Sequence, residues 1–105
     1  MGRRFDIIGV TDNTGSVFAV SKVTVTATAT KLPTTNLDNR KAISVRNWSD
    51  TYTIYVGGSD VTSATGFPIL PKESLPFAMS NGAQLYGICA TGETAEVRTV
   101  EIDNS

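Results

Sequence analysis

The chain has 105 residues, with nine Lys or Arg, ten Asp or Glu, no histidine and a formal net charge of -1. That length specifies one domain able to bury roughly two-thirds of its unfolded surface. The near balance of charge, with no like-charged run longer than Arg3-Arg4 or Arg40-Lys41, argues against strong electrostatic attraction to nucleic acid.

Apolar residues make up 40% of the chain, slightly low for a self-sufficient globule, and Thr, Ser, Gly, Asn and Asp separate them. The mix favours short strands and turns, or a protomer completed by neighbours. Residues 1–41 hold six basic against three acidic side chains, and residues 42–105 hold three against seven, so a mildly basic lead-in precedes an acidic body. Cys89 is the single cysteine. It excludes an intrachain disulfide, and between Ile88 and Ala90 it reads as a small buried hydrophobe. No apolar run approaches the roughly 18 residues of a membrane-spanning helix, and the first residues lack the pattern of a signal peptide. The expectation is a soluble protein made in a cytoplasm.

In chain order, Arg3 to Val10 forms a short candidate strand, turned at Thr11-Asp12-Asn13-Thr14-Gly15, with Val17 to Val20 returning antiparallel to it. Two short strands are too few to be stable alone, so residues 1–21 read as an arm or hairpin that docks on the body or on a partner. From Lys22 to Thr30 the alternation is strict: Val23, Val25, Ala27 and Ala29 share one face, and four threonines share the other. Pro33 interrupts the connection that follows. Lys41 to Trp48 resumes the alternation with Ile43 and Val45 inward. Ser49-Asp50 then reads as the turn of a hairpin into Thr51 to Val56. Gly57-Gly58 ends that strand, Phe67-Pro68-Ile69-Leu70-Pro71 returns to the interior, and Lys72-Glu73 turns. Ser74 to Met79 alternates again, with Pro76 requiring an edge position or a bulge. Ala83 to Ala90 resembles a strand buried on both faces, and Ala95 to Ile102 is the last. About eight short strands at roughly ten-residue spacing and no helix specify an all-β fold. The candidates are an antiparallel β-sandwich or a jelly-roll-like barrel, formed by residues 22–105 behind the arm.

The candidate chemistry is thin. Without histidine the commonest general base, nucleophile activator and metal ligand are missing. Asp38, Asp50, Asp60 and Glu73 fall in turns, where solvated acids are the default. Asp12-Asn13-Thr14-Gly15 looks like the opening of a calcium loop, yet the twelfth position, which the motif fills with Glu, is Val23. Gly57-Gly58 precedes no Gly-Lys-Ser/Thr and so is no phosphate cradle. The reading is a non-enzyme with no cofactor or metal. Trp48, Tyr52 and Tyr55 are the exposed-aromatic candidates, with Tyr86 a further ring. Such rings are more often core and interface anchors than stacking platforms for sugars or bases.

The stretch from Arg46 to Met79, with YVGGSDVT, a Gly-Phe-Pro segment and the Pro-Lys-Glu-Ser-Leu turn, followed by LYGICA before a final strand, resembles a module of small virion structural proteins of tailed bacteriophages. The resemblance covers about residues 22–103. It implies a capsid decoration (cement) or head-fibre component, acting in the virion as a symmetric homo-oligomer, a trimer especially, against the major capsid protein or other virion proteins. Partners among nucleic acids or membranes are not expected. Residues 1–21 lie outside the pattern. For them the expectation is a docking arm, with Phe5, Ile7, Ile8, Val10, Val17 and Phe18 as apolar contacts and Arg3 and Arg4 as rim charges. The alternatives are a neck, collar or tail component, and a carbohydrate-binding tip built on Trp48, Tyr52 and Tyr55.

Overall fold

A computed structural model describes residues 18–103. Those residues form eight strands: β1 (Phe18–Val25), β2 (Thr30–Lys31), β3 (Arg40–Asn47), β4 (Ile54–Gly57), β5 (Phe67–Ile69), β6 (Ser74–Phe77), β7 (Tyr86–Ile88) and β8 (Ala95–Asp103). They make two four-stranded sheets, ordered β1-β8-β3-β6 and β2-β7-β4-β5, in which every pairing is antiparallel. First pairs with last, second with seventh, third with sixth and fourth with fifth. This nesting is that of a long hairpin rolled up on itself, the winding of a jelly roll.

The core lies between the sheets. Val23, Val25, Ile43, Val45, Ala95 and Val97 come from the first sheet, and Ile54, Val56 and Ile69 from the second, joined by Leu32, Leu85 and Cys89. Each fully buried aliphatic side chain contributes about 1.5–3 kcal/mol through removal from water. Leu75, Phe77 and Met79 pack against this cluster from one side, as their shared face predicts. Pro76 sits in β6, an edge strand, where its missing N–H interrupts no inner ladder.

Three sequence expectations change. The strand beginning at Lys22 ends at Val25, not Thr30. Thr26 Oγ1 accepts the Thr28 N–H at 3.2 Å and Thr30 Oγ1 donates to the Thr28 carbonyl at 2.9 Å, so hydroxyls offer the backbone a local alternative to the ladder. The chain bends there and crosses into the second sheet. At its other end the strand starts earlier: Phe18, Ala19 and Val20 pair with Ile102, Glu101 and Val100 in one unbroken register. The boundary drawn between residues 21 and 22 therefore falls inside β1. The candidate strand Arg3 to Val10 lies outside the described residues.

The third change concerns the hairpin at Ser49-Asp50. β3 and β4 belong to different sheets and do not pair, so the connection is an arch. Asn47 makes it one. Fully buried, its Nδ2 donates to the carbonyls of Tyr52 at 2.8 Å and Ile69 at 2.9 Å, and its Oδ1 accepts the Ser49 N–H at 3.0 Å. The Ser49 hydroxyl oxygen then accepts the N–H groups of Thr51 and Tyr52. Backbone groups that a hairpin ladder would satisfy are satisfied by two side chains, and the chain passes from one layer to the other. Nearby, only Ile69 of the Phe67-to-Leu70 run reaches the interior. Phe67 and Leu70 are exposed.

The opposite end of β3 is closed by a buried ion pair. Arg40 Nη1 lies 2.8 Å from Glu101 Oε2, both side chains essentially inaccessible. The guanidinium also donates to the carbonyls of Met79, Ser80 and Ala83 and to Asn36 Oδ1, while Glu101 Oε2 accepts the Leu37 N–H. Arg40→Met is expected to cost about 3–5 kcal/mol in urea denaturation, because it strands a buried carboxylate and three carbonyls. Adding Glu101→Leu is expected to recover part of that loss, and a double variant no more stable than the single one would show that the stranded carboxylate is not the source of the cost. Thr99 gives a prediction of opposite sign. Its hydroxyl is buried with no partner among the described residues, so Thr99→Val is expected to raise stability by about 1 kcal/mol in the same assay.

Candidate interaction surface

The outward-facing residues of the first sheet form rows that the strand registers fix. Phe18, Ile102 and Ala42 lie side by side, then Val20, Val100, Ser44 and Pro76, then Lys22, Arg98, Arg46 and Ser74. Thr24 and Glu96 continue the series, with Trp48 following β3. The face is therefore divided along the strand direction: two apolar rows at one end, a basic row and an indole at the other.

At the apolar end Phe18 is 68% and Val20 64% exposed, values unusual for such side chains when neighbouring atoms cover them. A shallow depression of about 170 Å³ opens between Phe18, Ala42, Ser44, Pro76, Val100 and Ile102. Phe18 and Val20 are the most exposed side chains of this end, and Ala42, Val100 and Ile102 beside them are half-buried.

At the basic end Trp48 is held by its N–H to the Glu96 carbonyl at 2.9 Å and is 41% exposed. Lys72 Nζ lies 3.9 Å from the ring centroid, Arg98 Cζ 5.0 Å and Arg46 Cζ 5.6 Å, all within cation–π range. Arg98 is also bonded to Glu96 and Lys72 to Asp50. The turn that presents Lys72 is tight: Lys72 has φ 67°, and the Glu73 N–H donates to the Leu70 carbonyl at 3.0 Å. A second depression, of about 230 Å³, lies between Val20, Ser44, Arg46, Ser74, Arg98 and Val100.

Of the expected partner-binding residues, Arg3, Arg4, Phe5, Ile7, Ile8, Val10 and Val17 lie outside the described residues, and Phe18 opens β1 at the apolar end. Trp48 and Tyr55 do not share one platform. Trp48 lies against cations of the first sheet, whereas Tyr55 is half-buried on β4 of the second, opposite Pro68 and Ile88. Tyr52, 37% exposed, follows the arch. Lys72 covers a face of the Trp48 ring, which leaves that face unavailable for stacking on a sugar.

Among the described residues no group of three His, Cys, Asp or Glu side chains could hold a metal ion. Cys89 is 2% exposed, with Sγ 3.5 Å from the Val25 carbonyl oxygen. Burial pushes its thiol above the ordinary value of 9.0, and the nearby Glu93 charge adds to this, while a backbone hydrogen bond from Ala95 opposes both. A folded-state value above the unfolded one means that the neutral thiol stabilises the fold fully below 9.0, and that this contribution is lost as pH rises beyond it. The native protein is expected to resist iodoacetamide at about pH 8 and the urea-unfolded chain to react, since only the thiolate attacks. Equal rates, followed by mass spectrometry, would contradict the buried placement.

No family model, no curated protein and no solved structure matches this chain.

Proposed function

We propose that this chain is a non-enzymatic structural protein of a tailed-bacteriophage virion, a capsid decoration protein that binds the outside of the assembled head and stabilises it as a homo-oligomer. The observation that carries the reading is the outer face of the first sheet, where Phe18, Val20, Val100 and Ile102 leave apolar surface uncovered on an ordered framework. Cementing requires contact and no chemistry: a surface that binds the assembled shell better than free subunits shifts the equilibrium toward the shell. Repetition around a lattice multiplies a modest interface of roughly 1,600 Å². The sequence resemblance of residues 22–103 supports the same reading. Jelly rolls recur in viral capsid and lectin domains, which supports it by analogy of fold alone.

Isolated heads mixed with the purified protein are expected to carry it on sedimentation and to withstand heating longer. Val20→Asp/Val100→Asp, both on the outer face, is expected to keep a cooperative melt and to lose at least about tenfold in head binding. Density confined to the neck or tail in electron microscopy of the particle would replace the decoration reading with that of a neck or tail component.

A further inference from the structure

Lys22, Arg98 and Arg46 stand directly opposite one another on three adjacent strands. Like charges in such cross-strand positions repel. Only Arg98 among them has a carboxylate partner among the described residues, in Glu96. Arg46 is bonded to the Ser74 hydroxyl at 3.2 Å and rests near Trp48. The row also borders the depression whose wall holds Val20 and Val100 together with Ser44 and Ser74. Guanidinium groups, hydroxyls and valines thus converge on one concavity.

We propose that this basic row binds an extended segment of a partner polypeptide in which a carboxylate and an aliphatic side chain stand two residues apart, on one face. Charge complementarity selects the carboxylate, since Lys22 and Arg46 have no acidic partner among the described residues and guanidinium forks match carboxylates in geometry. The valines select an aliphatic neighbour. They set it one row away, which is the spacing between residues i and i+2 of an extended strand; these share a face, whereas successive residues point to opposite faces. A polysaccharide acid is disfavoured because its ring needs an open indole face, and three cations crowd the Trp48 ring, with Lys72 Nζ, Arg98 Cζ and Arg46 Cζ at 3.9, 5.0 and 5.6 Å from its centroid. The inference deepens the proposed function by naming the chemistry of the surface contacted, and rests on it only for where that partner is found.

Trp48 is the single tryptophan of the chain and sits beside the row, so its fluorescence reports occupancy. A peptide repeating Glu-Ser-Val-Ser, which puts glutamate and valine in turn on one face, is expected to change Trp48 emission saturably, with affinity falling at least about tenfold between roughly 50 and 500 mM salt. The matching Lys-Ser-Val-Ser peptide is expected to leave the emission unchanged. Lys22→Glu/Arg46→Glu is expected to weaken the glutamate–valine peptide at least about tenfold without lowering the melting midpoint, because it removes a repulsion. The milder Lys22→Gln/Arg46→Gln serves the same purpose should the reversal disturb folding. Undiminished binding by both variants, no binding at low salt, or tighter binding of polygalacturonate than of the peptide would overturn the proposal. Peptide binding without head binding would remove the virion reading and keep this one. Head binding that survives both variants in full, with no peptide bound, would do the reverse.

Discussion

Two buried polar side chains at the ends of one strand fix the crossings between the two sheets. Arg40 opens β3 and Asn47 closes it, and each is almost wholly inaccessible. A buried guanidinium is tolerable only with an opposite charge and full hydrogen bonding. Arg40 obtains both by drawing in Glu101 from β8 and the carbonyls of the segment 79–83. Asn47 is neutral and reaches both layers, bonding Tyr52 and Ile69 on the far side. Aliphatic packing between the sheets is non-directional and would allow sliding, whereas these bonds fix which loop lies over which strand.

Asn47 also explains the winding. A strand followed closely by Ser49-Asp50 ordinarily invites a hairpin, and the backbone of residues 48–52 would then pair with itself. Asn47 satisfies the Tyr52 carbonyl and the Ser49 N–H first. β3 is left to take β6 and β8 as neighbours, and β4 to take β5 and β7. Gly87 makes the complementary concession in β7: a Cβ there would lie 2.8 Å from Leu32 Cδ1, so the absent side chain lets the buried Leu32 lie against the inner face.

The inward positions of β8 were readable from alternation, since Ala95, Val97, Thr99, Glu101 and Asp103 share one parity and all are buried. A carboxylate at Glu101 in that series already called for a basic partner. The partner itself was hidden. Counting back from Ile43 places Lys41 inward and Arg40 outward, but the register shift between Arg40 and Ala42 inserts an extra residue and turns Arg40 into the core. Bulges re-aim side chains in this way and leave no periodic trace. Asn47 carried the inward parity of Ile43 and Val45, yet parity says nothing of which layer its amide will reach. The surface rows were illegible for a related reason. Alternation assigns Val20, Arg46, Arg98 and Val100 to outer faces one strand at a time, while the division into an apolar and a basic end depends on the nonlocal pairing of β1, β8 and β3.

The basic row is not there to stabilise the sheet. An exposed pair such as Arg98 with Glu96, half-open on both sides, is worth about 0–1 kcal/mol. A cation over an exposed indole adds about 0.5–1 kcal/mol. Each like-charged neighbour across the strands takes away an amount within the same range, about 0.2–1 kcal/mol. These contributions nearly cancel, so the row is close to neutral for folding, and the aliphatic layer beneath it supplies the rigidity. Trp48, Arg46 and Arg98 are thereby displayed on a framework that does not need them. Side chains that contribute little to the fold, fixed in place by strands that do, are the arrangement that the proposed contact requires.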